Sequence, residues 1–291
     1  MTKGKLFLII SAFIYGILPV LAAIAYRGGV NGITLTFLRS SISIPVLYAM
    51  IRADGRRLHL SRSVMRRVII LGIFGGALPI LLLYLSYHYI PPGLATTLHF
   101  VYPLIIVLSS AVIYHEKLSG VTLGAVVFVT VGIFMFSDIS HGASTAGIIL
   151  AILSGIFYSF YVIYIERSGL ESMDYIVLTF YVMVIMSVSV LIFGAVTGAL
   201  SFDISPLAWS VSAIISFLVT LGAMPLLQLG VRYEGASTAG ILSTIEPITS
   251  VIMGAVFLGE HIGTGQMMGG AMILFGVLLA EKAPQHKKQI I

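Results

Sequence analysis

Cysteine is missing from this chain of 291 residues, and charged residues make up only 9% of it. The absence of cysteine excludes disulfides, thiol nucleophiles and thiolate metal ligands. No glycine-rich phosphate-binding loop is present, so ATP is not expected as the energy source, and no histidine pair has the spacing of a zinc-binding helix. We therefore expect that the chain binds no metal or other cofactor and that it is not an enzyme.

Long apolar runs stand where a soluble protein would have its charges. Hydrophobic residues account for 58% of the chain and the mean hydropathy is +1.08, whereas about a quarter of the residues in a soluble domain are charged. Because a helix needs roughly 20 apolar residues to cross the hydrocarbon, we predict an all-α polytopic membrane protein with ten transmembrane helices. The spans are expected at about 6–26, 33–51, 67–87, 92–113, 119–137, 144–165, 175–198, 208–230, 235–258 and 263–280.

Positive charge is confined to alternate connecting segments. Of the 16 Lys and Arg residues, all but Arg27 and Arg39 fall on one side when the ten spans are retained. Both termini are therefore expected in the cytoplasm, with the chain in a bacterial or archaeal plasma (inner) membrane. Cleaving the first span as a signal peptide would break this alternation, so that span is kept. The most charged loop, 52–67, is interpreted as an anchor on anionic lipid in preference to a nucleic-acid site.

A stretch of the first half recurs in the second. Residues 93–116 and 237–260 align without gaps, and each has a proline near the middle and a closing glutamate. The period of about 143 to 146 residues divides the chain into units at 1–140 and 141–282, followed by a polar cytoplasmic tail at 283–291. Five spans per unit is an odd number, so the second unit is predicted to be inverted, as in many secondary transporters.

Each half carries the same landmarks in the same order: an aromatic residue before a small one, a mid-helix proline, a glutamate that closes that helix, and a late glycine. They are Tyr15-Gly16 and Tyr158-Ser159, Pro103 and Pro247, Glu116 and Glu260, and Gly132 and Gly276. This pattern resembles the EamA family of the drug/metabolite transporter (DMT) superfamily over almost the whole chain. The resemblance implies a ten-helix bundle around a central cavity and small-molecule transport, often export of amino acids or other metabolites. Glu246 departs from the pattern, since the first half has Tyr102 there.

Glu246 is the most informative residue of the candidate site. It lies about eleven residues into a predicted span of some 24, close to the bilayer midplane. Because ionisable residues at that depth mark substrate or ion paths, Glu246 is interpreted as a counter-charge for a cationic or amine substrate, or as a proton-coupling acid; a structural acid is the alternative. His99 and Tyr102 share a helix face, and the repeat places Tyr102 opposite Glu246. For His99, a packing role is an equal alternative.

Further candidates for substrate binding are four tyrosines, because aromatic rings enclose cations and stack on aromatic substrates. They are Tyr15, Tyr84, Tyr158 and Tyr161. Gln228 fits cavity lining and a hydrogen bond between helices equally well. Arg39, inside the second span, is able to bind a substrate carboxylate, although snorkelling to headgroups or pairing with an acid is the preferred interpretation.

Four prolines are expected to act as hinges or kinks, because proline cannot donate the intrahelical hydrogen bond. They are Pro79, Pro103, Pro225 and Pro247. Two of them leave the carbonyls of His99 and Ser243 free, which either face the substrate or merely mark a packing kink. The two landmark glutamates are interpreted as structural residues at helix ends.

These features predict a secondary active transporter for a small metabolite such as an amino acid or an amine, with export preferred on the resemblance alone. A multidrug, quaternary-amine or choline-type cation transporter is the alternative, and a membrane-embedded enzyme or sensor is disfavoured. The expected partners are the small-molecule substrate, membrane lipids and, if transport is coupled, protons, with no nucleic acid. The chain is expected to be a monomer or a homodimer.

The predicted topology is tested by labelling from outside the cell. An impermeant maleimide should react with Arg27→Cys in intact cells and with Arg57→Cys only after permeabilisation, because basic loops stay in the cytoplasm. The absence of native cysteine keeps the background low. The reverse pattern would overturn the assignment.

Overall fold

The computed structural model describes residues 2–86, 89–90, 92–113, 119–136, 144–259 and 263–282, and these segments contain helices but no strands. The α-helices are α1 Lys3–Arg27, α2 Gly32–Ser41, α3 Ile44–Ala53, α4 Arg62–Ile70, α5 Leu78–Ser86, α6 Pro92–His99, α7 Tyr102–Val112, α8 Gly120–Phe136, α9 Thr145–Arg167, α10 Tyr175–Thr197, α11 Pro206–Phe217, α12 Met224–Leu242, α13 Ile245–Leu258 and α14 Thr264–Lys282. The landmark residues Glu116 and Glu260 lie outside the described segments.

Several of these helices join into stretches that are able to cross a membrane. Among the described residues, six stretches are long and apolar enough: Lys3–Arg27, Gly32–Ala53, Arg62–Ser86, Thr145–Arg167, Tyr175–Thr197 and Pro206–Leu242. Four apolar helices are shorter: Tyr102–Val112, Gly120–Met135, Ile245–Leu258 and Met267–Leu279. The chain is a multi-pass membrane protein, and its helices satisfy the backbone polar groups that lipid cannot.

Two stretches widen at equivalent places in the two halves. The turns Leu71–Ala77 and Leu218–Ala223 are π-helical. Pro79 lies two residues after the first turn, and Pro225 lies two residues after the second. Since proline has no N–H to donate, the turn before it loses a hydrogen bond and is free to widen. Pro79 and Pro225 thus coincide with wide turns inside continuous helices.

The stretches that carry Pro103 and Pro247 are interrupted just before each proline. Two-residue turns separate α6 from α7 and α12 from α13. Each proline then lies in the first turn of the next helix, where its missing N–H has no intrahelical acceptor. Gly235 adds a break inside α12, with a φ of 82° that L-residues with a side chain rarely adopt.

The first helix of each half docks on the other half. α1 packs against α11, α12 and α13, and α9 packs against α5, α6 and α7. Equivalent serines fasten the two contacts. Ser11 Oγ on α1 donates to the Ala223 carbonyl at 2.7 Å, and Ser154 Oγ on α9 donates to the Pro79 carbonyl at 2.7 Å. Each half therefore binds a carbonyl of the other half, at the end of one wide turn and two residues after the other.

The last helices of the two halves, α8 and α14, approach each other through the late glycines. A Cβ added to Gly132 would lie 2.7 Å from the Gly269 carbonyl oxygen, and one added to Gly276 would lie 2.8 Å from the Ala125 carbonyl oxygen. Small residues allow backbones this close in membranes. The contact explains why both halves have glycine at this position.

Gly276→Ala is expected to lower the free energy of unfolding by about 1–3 kcal/mol, because the added methyl group overpacks the contact between α8 and α14. Gly124→Ala on α8 is the matched control, since its Cβ would lie no nearer than 4.0 Å from Leu279 and should leave stability unchanged or slightly higher. Unfolding by SDS in mixed micelles measures both. Equal stability of the two variants would contradict the close approach.

Candidate functional site

Four ring-bearing side chains meet where α6, α7 and α9 come together. The ring centroid of Tyr158 lies 4.7 Å from that of Tyr102, edge to face, and 5.4 Å from that of His99. Tyr161 stacks on Tyr158 with 6.1 Å between centroids. Aromatic pairs at these distances attract each other beyond their buried area. Residues from both halves therefore build one ring cluster, consisting of His99, Tyr102, Tyr158 and Tyr161.

Glu246 and Tyr15 adjoin the ring cluster. α13 packs on α1 at Gly16, where an added Cβ would lie 2.7 Å from the Glu246 carbonyl oxygen. The Glu246 carboxylate interacts electrostatically with Tyr15, Tyr102 and Tyr158. The two residues that the repeat pairs, Tyr102 and Glu246, thus lie in one site.

Arg39 lies within electrostatic range of Glu246 and of Tyr15. In the described part of the chain the two charged groups form no direct ion pair. Among the described residues, the Nε of Arg39 is buried without a hydrogen-bond partner. Arg39 therefore faces the interior with part of its hydrogen-bonding capacity unused.

These polar side chains keep partial exposure although helices surround them. Glu246, Arg39, Tyr15, Tyr158 and His99 are half-buried, whereas Tyr102 and Tyr161 are 1% and 2% exposed. These five side chains are therefore less tightly enclosed than the two buried tyrosines.

His99 is oriented by Ser154. Its Nδ1 lies 2.8 Å from Ser154 Oγ, and Ser154 donates its only proton to the Pro79 carbonyl. Ser154 therefore accepts from His99, which places a proton on Nδ1. In the neutral ring, Nε2 is then a hydrogen-bond acceptor.

The carbonyls left by the two proline-associated breaks contact protein atoms. A Cβ added to Gly155 would lie 2.5 Å from the His99 carbonyl oxygen, so α9 packs directly on that carbonyl. The Ser243 carbonyl accepts the N–H of Glu246 at 3.0 Å. These contacts favour the packing interpretation of the kinks over carbonyls aimed at a substrate.

Gln228 lies behind the ring cluster and connects helices. Its Nε2 donates to Tyr161 Oη at 3.4 Å, and its Oε1 accepts from Thr179 Oγ1 at 3.3 Å. The side chain is 3% exposed. This placement favours the interhelical role over cavity lining.

Tyr84 lies apart from the ring cluster, at the end of the bundle where α1 ends and α2 begins. A cavity of about 320 Å³ opens there, lined by Tyr26, Val30, Asn31, Gly32, Ile33, Tyr84, Leu85 and Ala199. The Tyr84 ring packs on Gly32, where a Cβ would lie 2.8 Å from its Cγ. We call this space the end cavity.

Two helix faces lead from the end cavity to the central site. Tyr26 and Tyr15 are eleven residues apart on α1, and Gly32 and Arg39 are seven apart on α2, so each pair shares a face. At 1.5 Å per residue the central residues lie about 16 Å and about 10 Å below the cavity lining. The end cavity is thus in line with Arg39 and Tyr15.

Polar contacts join two loops at the opposite end of the bundle. Arg56 pairs with Asp174 and, at 2.9 Å, with Asp54, and these carboxylates raise the pKa of Arg56, Asp54 most strongly. Arg67 donates to the Ser168 carbonyl. The loop before α4 and the loop before α10 are therefore held together at this end, which we call the Arg56 end.

Two acidic residues of the Arg56 end were not singled out from the sequence. Asp174 accepts from two backbone N–H groups of α10 at 2.9 and 3.1 Å, and an aspartate just before an apolar run is the usual signal of such a cap. Glu166 accepts the N–H of Ala236 at 2.8 Å, 70 positions along the chain, and so caps the helix that restarts after Gly235. No local pattern indicates that contact.

A repeat-built bundle of interrupted helices, with charged and aromatic residues at mid-depth, is the architecture of a membrane transporter. The sequence profile of the EamA-like transporter family matches residues 2–138 and 145–281. The chain belongs to this family.

Relatives in other organisms carry transporter names. A protein of Synechocystis sp. named as an uncharacterized transporter is 26% identical over 207 residues, which are 69% of this chain and 62% of its own length. Two proteins of Archaeoglobus fulgidus are also named as uncharacterized transporters. One is 27% identical over 60% of this chain and 62% of its own length. The other is 26% identical over 85% of this chain and 87% of its own length. The chain thus spans less than two thirds of the first two relatives.

A solved crystal structure shares the fold. It covers 96% of this chain and 97% of its own, with a TM-score of 0.79 and 18% identity. At that identity the likeness concerns the fold alone.

Ser154→Ala is expected to lower both stability and transport, whereas Ser11→Ala should lower stability alone. Each variant removes a hydrogen bond between buried groups, worth about 1–3 kcal/mol when the carbonyl is left unpaired, but only Ser154 also orients His99. Melting temperature in detergent and flux per folded protein in proteoliposomes separate the two effects. Equal flux in the two variants would show that the orientation of His99 is not required.

Proposed function

We propose that the chain is a secondary active transporter for a small metabolite that carries a protonated amine, such as an amino acid or an amine. The observation that carries this proposal is Glu246, an acid inside the helical bundle that forms no direct ion pair with the described residues. An ionised carboxylate at that depth costs several kcal/mol unless it is paired, and a substrate ammonium group or a proton removes that cost. The adjoining tyrosine rings add cation–π attraction.

In this proposal the chain forms ten transmembrane helices as two inverted repeats of five, residues 1–140 and 141–282. Support comes from the wide turns at Leu71–Ala77 and Leu218–Ala223 and from the reciprocal docking of α1 and α9. Two similar halves that hold each other at a central site are able to exchange access by rocking. The substrate site lies between them.

In this proposal the end cavity faces outside and the Arg56 end faces the cytoplasm of a plasma (inner) membrane, an orientation that the distribution of basic residues supports. The proposed state is outward-open, and its support is the cavity at the outer end together with the Arg56–Asp174 pair at the other end. Substrate exchange with the cytoplasm requires that these contacts separate. Export is the proposed direction.

A multidrug, quaternary-amine or choline-type cation transporter is the second candidate, favoured by the edge-to-face contact of Tyr102 and Tyr158. Rings in such an arrangement suit a quaternary ammonium group. Such a substrate carries no exchangeable proton and needs Glu246 ionised while it is bound. Transport of a quaternary ammonium compound in preference to every compound with an amine N–H would favour this candidate.

Glu246→Gln is expected to reduce flux of the best amine or amino acid at least about tenfold and to abolish any dependence on a pH gradient. The amide keeps the shape but loses a charge-assisted hydrogen bond of about 1.5–3 kcal/mol. The measurement is flux into proteoliposomes for a panel of amino acids, amines and nucleobases, with and without a pH gradient. The transported compound should be recovered chemically unchanged, since alteration during passage would support an enzyme.

Asp203→Asn is the matched control, because it also removes a carboxylate but from an exposed loop position. It should transport like the unmodified protein. If Glu246→Gln does so as well, with the same pH dependence, the counter-charge and proton-coupling roles are both refuted.

A further inference from the structure

We propose that the break at Gly235 is a hinge of the bundle and that the Glu166 carboxylate is the latch that holds this hinge in the observed arrangement. The hinge separates residues 224–234 of α12 from the chain that continues through the turn at 243–244 into α13, which carries Glu246. Glu166 is thus a positioning residue for Glu246. The inference goes beyond the proposed function, because it does not depend on which molecule is transported.

The backbone at Gly235 has a conformation that is essentially restricted to glycine. Its φ is 82° and its ψ is 167°, a combination that residues with a side chain rarely adopt. A Cβ added there would also lie 3.3 Å from Glu166 Oε1. Such backbone conformations persist only where surrounding contacts hold them, and they are frequent in segments that switch between two arrangements.

Glu166 holds the residue that follows this position. Its Oε2 accepts the N–H of Ala236 at 2.8 Å, and both residues are buried. The first N–H groups of a helix have no acceptor within that helix, so an acceptor from α9 satisfies this one. Loss of the Glu166 carboxylate would leave a buried donor without its partner, which destabilises the observed arrangement.

The first helix of the other half holds the residues before the break. Thr2 Oγ1, at the start of α1, donates to Glu234 Oε1. A Cβ added to Gly4 would lie 2.7 Å from Tyr233 Cβ. α1 therefore contacts one side of the break, while Glu166 on α9 contacts the other side. A movement of α9 against α1 would act directly on this hinge.

The break lies at the Arg56 end of the bundle. Ser168, two residues after Glu166, accepts from Arg67. Arg232, three residues before the break, lines a narrow space together with Leu170 and Tyr175. Release of the latch is therefore expected to open the Arg56 end.

The first half lacks both residues of the hinge. The 144 positions that separate Pro103 from Pro247 carry Gly235 back to position 91, which is proline. Proline fixes φ at about −65°, so it excludes the conformation of Gly235. The period of 143 to 146 residues carries Glu166 to positions 20–23, which are Val, Leu, Ala and Ala. The latch is therefore a feature of the second half and not of the shared scaffold.

The observed arrangement leaves a polar group beside the hinge without a partner. Among the described residues, the buried Ser237 Oγ has no hydrogen-bond partner, and Ser237 lies two residues after Gly235. A buried hydroxyl group without a partner lowers the stability of the arrangement that contains it. This cost brings a second arrangement closer in free energy, as a two-state element requires.

The test measures which end of the bundle is accessible, with single cysteines in a chain that has none of its own. Ile33→Cys reports on the end cavity, which Ile33 lines. Leu178→Cys reports on the Arg56 end, where Leu178 is 1% exposed and its N–H bonds to the Asp174 carbonyl. Both are reacted with a water-soluble maleimide in nanodiscs, and the rate at Leu178→Cys divided by that at Ile33→Cys is the accessibility ratio.

Glu166→Ala should raise the accessibility ratio at least about fivefold, because it removes a charge-assisted hydrogen bond from the observed arrangement. Glu166→Gln keeps an acceptor oxygen and should hold the ratio within about twofold of the unmodified protein. Gly235→Ala should raise the ratio as well, because a side chain strains the observed backbone.

Gly198→Ala is the matched control. Gly198 has a φ of 65° at the end of α10, and a Cβ there would meet no atom within 4 Å. The substitution should lower the melting temperature without changing the accessibility ratio. A structural role of Gly235 alone would give the same result for Gly235→Ala, which would refute the hinge.

The hinge is also refuted if folded Glu166→Ala keeps the accessibility ratio of the unmodified protein. A shift in Glu166→Gln as large as in Glu166→Ala would refute the latch. If Glu166→Ala does not fold, Glu166→Asp, which withdraws the carboxylate by one methylene group, has to raise the ratio. The assay contains no substrate, so these outcomes are independent of the flux measurements on Glu246→Gln.

Discussion

A polar group in the hydrocarbon of a membrane has to find its partner within the protein, because no water is available to take its place. This constraint accounts for the helices, and also for the contacts where the helices are irregular. Ser154 donates a hydrogen bond to the Pro79 carbonyl, which follows a wide turn. Glu166 accepts a hydrogen bond from the N–H of Ala236, which follows the break at Gly235. Against that background, Arg39 Nε is one of several buried side-chain polar atoms in the described part of the chain for which no hydrogen-bond partner is found.

Residues that recur in both halves differ in role from residues that occur in only one half. Elements that recur, such as the wide turns before Pro79 and Pro225 and the glycines of α8 and α14, shape the helices and their contacts. Residues that do not recur, Arg39 and Glu246, carry the charges at the centre. A scaffold with internal symmetry is able to adopt two related arrangements.

Much of the fold follows from patterns that act locally. Apolar runs of about 20 residues require helices, and proline widens or interrupts a helix wherever it occurs, so the irregular turns near Pro79, Pro103, Pro225 and Pro247 were expected from the chain alone. The candidate site was harder to predict, because placement depends on neighbours distant in sequence. Gln228 was equally consistent with two roles until Tyr161 and Thr179 were found at its two ends. Tyr84 matched the other tyrosines by residue type, yet it lies at the end cavity.

The sequence by itself determined that the chain spans a membrane repeatedly, that its halves are related, and that Glu246 stands where the first half has Tyr102. Those conclusions rest on hydropathy and period, which are properties of the chain read in order. Only the tertiary structure decided that Ser154 lies between the Pro79 carbonyl and His99 Nδ1, that Gln228 links Tyr161 to Thr179, and that Glu166 caps a helix 70 positions away. Each of these depends on how helices distant in sequence pack, and packing is set by the whole set of side chains at once.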